Sequence, residues 1–200
     1  MARFARKDKN PVAWVILSLL YTLWMLGDVM ARSTDSFFIR KTLNAGQTNA
    51  YAQVGIDLGA YVDALGKSVL RLHNVQVTYS DLNGATATLD AGASAVAQWQ
   101  LTTQSFGALQ LSSNRAVVSD GRCHQVNQEA AVGVASIVSD ANGINLQEWT
   151  NGYLIAVESL FLGGAASAGF DEDVHISVVL ECTVETLSQS AAMSLALSQQ

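Results

Sequence analysis

The sequence predicts an all-β protein: an antiparallel β-sandwich of jelly-roll type with about eight strands, preceded by an amino-terminal apolar α-helix. Three observations predict it. After Arg32, apolar residues recur at nearly every second position in short runs, which is the period of a half-buried strand. Clusters of Gly, Asn, Asp and Ser separate those runs at the spacing of a sandwich. A long uninterrupted apolar run occurs once, from Asn10 to Asp28 (NPVAWVILSLLYTLWMLGD), so strands do not alternate with long helices as a parallel α/β sheet requires.

The first element is that apolar run. Pro11 suits a first helical turn, where its missing N–H costs nothing. From Val12 to Gly27 the helix would extend about 25 Å, at the short end of what crosses a hydrocarbon core of about 30 Å. Val12, Trp14, Ile16, Leu17, Leu20, Tyr21, Trp24 and Leu26 are its candidate membrane or assembly residues, with the two tryptophans near its ends as interfacial aromatics are. Arg3, Arg6, Lys7 and Lys9 precede it and fit contact with phosphate, either of lipid or of nucleic acid; four cations with one aromatic, Phe4, read no bases. They fit a positive-inside topology signal better. Val29-Met30-Ala31 also satisfies a signal-peptidase pattern, so anchor, buried assembly helix and cleaved signal stay open.

The strands follow. Phe37 to Leu43 is a short mixed strand, and Ala50 to Val62 alternates Tyr51, Gln53 and Gly55 against Ala52, Val54, Ile56 and Leu58. Val69 to Tyr79 continues the alternation, with a slip at His73-Asn74 that reads as a bulge. Asp81 to Gly84 (DLNG) is a turn. Further strands are expected near Ala95 to Thr103, Ala116 to Ser119, Ala130 to Val138, Gly152 to Leu160 and Val174 to Val184. Their separators are Ser112-Ser113-Asn114, Ser119-Asp120-Gly121, Asp140-Ala141-Asn142-Gly143 and Gly163-Gly164. A short helical piece fits Leu146 to Trp149, and an Ala/Ser/Leu-rich tail fits Thr186 to Ser198, unless Val184 to Leu197 extends the last strand. Residues 1–36 thus form a basic, apolar amino-terminal part, and residues 37–200 the sandwich with its tail.

The stretch Gly55 to Asp81 (GIDLGAYVDALGKSVLRLHNVQVTYSD) resembles a segment of jelly-roll capsid proteins of tailless icosahedral viruses. An Asp-Leu start, an aromatic-Val pair and a V-L-R-hydrophobic strand carry the likeness over less than a sixth of the chain. What the resemblance implies is a sandwich that tiles a shell, with no catalytic residues to transfer. The amino-terminal arm here is more hydrophobic than a purely aqueous shell interior would require.

Charge and chemistry agree with a non-enzymatic role. Only 14% of residues are charged, against about 25% in ordinary soluble domains, which fits a surface covered by lipid or by other subunits. No Lys or Arg follows Arg122, so the first residues are cationic and the last third is anionic. His73, His124 and His175 lack zinc-ligand spacing. Cys123 and Cys182 form one disulfide if their strands meet in an oxidising compartment; two free buried thiols fit equally. Adjacent Cys123 and His124 fall on opposite faces of a strand, which speaks against a nucleophile and its base. Gly163 to Gly169 (GGAASAG) is a loop rather than a nucleophile elbow, and no phosphate-binding loop is present. Asp171, Glu172 and Asp173 are a weak candidate for a divalent cation and fit a solvated acidic loop better. No cofactor is expected.

The expected function is therefore structural: a viral coat protein that self-assembles with other coat subunits into an icosahedral shell in the virion. Its amino-terminal helix would face an internal membrane or the shell interior, and its tail, Thr186 to Gln200, would clamp a neighbouring copy. The alternative is a membrane-anchored cell-surface or pilus-like β-sandwich, which would use the same helix and the same charge asymmetry.

Overall fold

The computed structural model describes residues 35–63 and 66–200. The strands are β1 (Phe37–Gly46), β2 (Ala52–Asp57), β3 (Ser68–Ser80), β4 (Ser94–Thr102), β5 (Val117–Val126), β6 (Ile137–Ile144), β7 (Tyr153–Ile155), β8 (Ser159–Ala166) and β9 (Val174–Thr186). A 3-10 turn covers Leu146–Glu148, and helix α1 covers Gln189–Ser198.

These strands form two antiparallel sheets, one in the order β1-β9-β3-β7 and the other β2-β8-β4-β5-β6. The pairing is nested: β1 with β9, β2 with β8, β3 with β7, and β4 with β5. Folding the chain back on itself in this way wraps eight strands into two sheets, which is the jelly roll. β6 is an additional strand on the outer side of β5.

Alternation explains which side chains meet between the sheets. Leu70 and Leu72 of β3, Ala97, Trp99 and Leu101 of β4, Leu160 and Leu162 of β8, and Ile176, Val178 and Leu180 of β9 are all buried in one core. The expected bulge is present, as the β3–β9 register shifts between Leu72 and Asn74. The turn after β3 also forms: Asp81 Oδ1 accepts from the Asn83 and Ala85 amides, and Gly84 adopts φ +85°.

Four strand expectations need correction. β2 ends at Asp57, and Leu58 to Val62 is a turn held by amides bonding back to the Leu58 carbonyl. β5 runs straight through Ser119-Asp120-Gly121, and β6 runs through Asp140 to Gly143, both read from sequence as turns. Of the strand expected over Ala130 to Val138, residues 130–136 are a loop and only Ile137 and Val138 belong to a strand, β6. The Gly152 to Leu160 strand is two, β7 and β8, and β8 passes through Gly163-Gly164, so nine strands replace about eight.

Gly164, inside β8, marks close approach rather than a turn. A Cβ on Gly164 would lie 2.8 Å from the Gln98 carbonyl oxygen.

The tail is a helix docked on its own sandwich, not a strand. Ser188 caps it by accepting from the Ala191 amide, and Ala192 and Ala196 pack against Val69 and Ala156. Beyond it, Gln199 is locked: its side chain takes the Ala156 amide at 2.9 Å and donates to the Leu154 carbonyl.

Candidate assembly interface

Among the described residues, each flank of the sandwich ends in strands without a hydrogen-bonded neighbour. On one flank lie β1 and β2, packed near each other. On the other lie β6 and the upper half of β3, because the short β7 covers only Leu70 to Leu72 and leaves Val75 to Ser80 open. Such edges present free backbone donors and acceptors and are the part of a sheet that other chains join.

The β6 edge is the barest. Seven of its eight residues are exposed, among them Ile137 (50%) and Val138 (53%), and the loop before it exposes Val132 and Val134. No Lys or Pro lies in the strand; its devices against edge pairing are the inward-pointing Asp140 and a register shift beside Asp120 and Gly121. Contiguous exposed aliphatic side chains of this kind mark interaction surfaces.

Between β6 and β3 is a cleft of about 110 Å³, lined by Val75, Val77, Tyr79, Asp140 and Asn142. Alternation places Asp140 and Asn142 on the inward face, in register with Cys123 and Gly121. Burial pushes the Tyr79 phenol far above its ordinary value; Cys123 and Asp140 add repulsion, and the Trp99 N–H opposes them. That N–H lies near Tyr79 without a hydrogen bond of proper geometry, and Gln125 Oε1, whose amide nitrogen donates to Cys123 Sγ, also lacks a partner among the described residues. This flank therefore holds polar groups that the isolated chain leaves unsatisfied.

Two further concavities exist. A polar pocket of about 220 Å³ lies on the outer face of the five-stranded sheet, where Gln98, Gln100, Gln110, Ser112, Asp120 and Arg122 meet. An open groove of about 570 Å³ runs between α1 and β7, past Arg71, Arg115 and Leu195.

The residues singled out by sequence fall as follows. Arg3, Arg6, Lys7 and Lys9, and the apolar positions from Val12 to Leu26, lie outside the described residues. Among the described residues no helix is long and apolar enough to cross a membrane. Cys123 and Cys182 are free, buried and on different sheets, so the disulfide does not form. Burial pushes each thiol up to about 12, with Asp140 adding to the effect at Cys123 and Glu181 at Cys182. His124 points outward and bonds Ser94 Oγ at 2.9 Å while Cys123 points in, as alternation requires.

The acidic tripeptide is a loop fastener. Glu172 Oε1 accepts from the Thr88 amide at 3.0 Å, and Asp173 Oδ2 accepts from Asn44 Nδ2 at 2.9 Å. Among the described residues no three His, Cys, Asp or Glu side chains converge to hold a metal. Sequence reasoning missed Asp140, Tyr79 and the β6 edge. The signal that could have found them is Val138-x-Asp140-x-Asn142-x-Ile144, a period-two run hidden by its polar members.

No family model matches the chain, and no curated protein is similar to it in sequence. Several solved structures are similar in backbone. One is an unassembled KI polyomavirus VP1 pentamer, at 10% identity and a TM-score of 0.43, covering 76% of this chain and 95% of that one. Another is the unassembled Merkel cell polyomavirus VP1 pentamer, at 8% identity and a TM-score of 0.40, covering 80% and 100%. A third is desmodium yellow mottle tymovirus, at 13% identity and a TM-score of 0.36, covering 79% and 90%. The class of protein is a jelly-roll β-sandwich, and that assignment rests on the nested strand pairing of this chain itself.

Proposed function

We propose that this protein is a structural coat subunit that self-assembles, through its flanks, into a closed icosahedral shell. The observation that supports it most is the β6 flank: an exposed strand edge with the aliphatic side chains of Ile137 and Val138 open to solvent. A jelly roll that displays such edges on both sides can bury them against other copies, and many modest contacts sum to a stable array. Residues 1–36, with their basic cluster and apolar run, are assigned in this proposal to contact with an internal membrane or with the shell interior. No catalytic step is assigned to any residue.

Electron micrographs of the purified full-length protein, with and without detergent, test it. Closed particles of uniform size are expected. Detergent-dependent single copies would overturn it in favour of a membrane-anchored surface protein.

A further inference from the structure

Three Asn-Gly pairs occur in the chain: Asn83-Gly84, Asn142-Gly143 and Asn151-Gly152. Such a pair is chemically labile, because glycine has no Cβ to keep its amide nitrogen away from the asparagine side chain. The nitrogen can attack the side-chain carbonyl carbon of its own neighbour, a ring closure that proximity favours. The two atoms meet only where the backbone is free to swing, so the fold decides which pair reacts.

Two of the three are held by distant parts of the chain. Asn142 lies inside β6 in register with Gly121, and a Cβ on Gly121 would come within 2.6 Å of its Oδ1. Gly143 packs on the Asp120 carboxylate, 2.6 Å from where its own Cβ would be. Asn151 gives its carbonyl to Arg71 Nη1, and the following glycine, Gly152, lies so close to β3 that a Cβ there would strike the Leu72 carbonyl oxygen. Both pairs must open against strand packing before they can rearrange.

Asn83 differs. It is exposed in the turn after β3, next to Leu82, and nothing lies within 4 Å of a Cβ position on Gly84. Its bonds are local: its amide donates to Asp81 Oδ1 at 2.8 Å and its Nδ2 to Asp81 Oδ2 at 3.2 Å, both two residues back. The Gly84 amide likewise bonds the Asp81 carbonyl, at 3.3 Å. This turn can open without disturbing a strand pair.

We propose that Asn83-Gly84 is a site of spontaneous covalent modification, at which the folded protein deamidates. The Gly84 nitrogen loses its proton to hydroxide and bonds to the Asn83 side-chain carbonyl carbon. The bond from that carbon to Nδ2 breaks, and ammonia leaves with a proton from water, so the hydroxide is regenerated. Water then opens the resulting succinimide at either carbonyl, giving aspartate or isoaspartate at position 83. Either product replaces a donor to Asp81 with a second carboxylate, and isoaspartate also lengthens the main chain of the turn by one methylene.

Peptide mapping by mass spectrometry tests it on full-length protein kept for weeks in warm neutral buffer, folded in one series and unfolded in guanidinium chloride in the other. In the folded protein, Asn83 is expected to convert at least about tenfold faster than Asn142 or Asn151, because those two first require local opening. In the unfolded chain the three should convert at comparable rates. Isoaspartate should be among the products at position 83, and the early acidic species on ion exchange should be missing from Asn83→Gln, whose longer side chain disfavours the five-membered ring.

Asn142 or Asn151 converting as fast as Asn83 in the folded protein would overturn the proposal. So would a folded Asn83 that stays intact while the unfolded chain converts, or products at position 83 without isoaspartate. A tenfold preference for Asn83 that persists in guanidinium would overturn it too, since the choice would then lie in the neighbouring sequence and not in the fold.

Discussion

A Cβ at Gly121 would lie 2.6 Å from Asn142 Oδ1 and 2.8 Å from Trp99 Nε1, so glycine alone lets the indole cross β5 at that point. Gly121→Ala must therefore move the largest side chain of the core's upper flank, and a loss of about 1–3 kcal/mol is expected. Urea denaturation measures it, and an unshifted midpoint would contradict the packing. From sequence alone this glycine looked like a turn, because Ser119-Asp120-Gly121 is the composition of one. Glycine serves tight turns and close approach alike, and only the neighbour across the sheet tells them apart. The thiols give a second residue-scale prediction. With both cysteines buried, free and raised to about 12, a thiol reagent should find almost none in the native protein and two after denaturation. One disulfide, seen as no reactive thiol under either condition, would contradict the separation of Cys123 and Cys182 onto different sheets.

At the scale of elements, the lower end of β3 is tied to β9 by Arg71, whose Nε and Nη2 both donate to Glu185, the latter at 2.8 Å. Nη1 also donates to the Asn151 carbonyl, fixing the approach to β7. The hydrogen bond from Arg71 holds the Glu185 carboxyl below its usual range against a smaller opposing effect of burial. A depressed folded value means the pair's stabilisation is complete above the unfolded glutamate value of about 4.3 and fades as pH falls through the folded one. Arg71→Leu is expected to cost about 1 kcal/mol at neutral pH, solvent screening included, and progressively less in acid. Thermal melts of the two proteins should converge as pH falls, and a constant gap down to pH about 2 would contradict the assignment. The strands most legible in the sequence, β3, β4 and β9, are those whose inward positions are mostly apolar. β6 was misplaced because its inward positions include Asp140 and Asn142, which a hydrophobic period cannot register. The acidic tripeptide at 171–173 was legible as a loop, whereas its bonds to Thr88 and Asn44 depend on residues 84 and 129 positions away.

On the scale of the whole molecule, the jelly-roll class was legible because period and turn spacing survive in one dimension, while the flank that carries the proposed function was not. Its members come from β3 and β6, more than fifty residues apart in the chain, and meet only after the nested pairing is complete. The low overall charge gains a physical meaning from this arrangement, since a surface that is repeatedly covered has less need of solvated groups. The measurement that bears most directly on a self-assembling coat is the mass distribution of the purified full-length chain in solution. A discrete heavy species of fixed copy number, growing at the expense of single copies as concentration rises, is the expected result; a lone 21.2 kDa species at every concentration would contradict it.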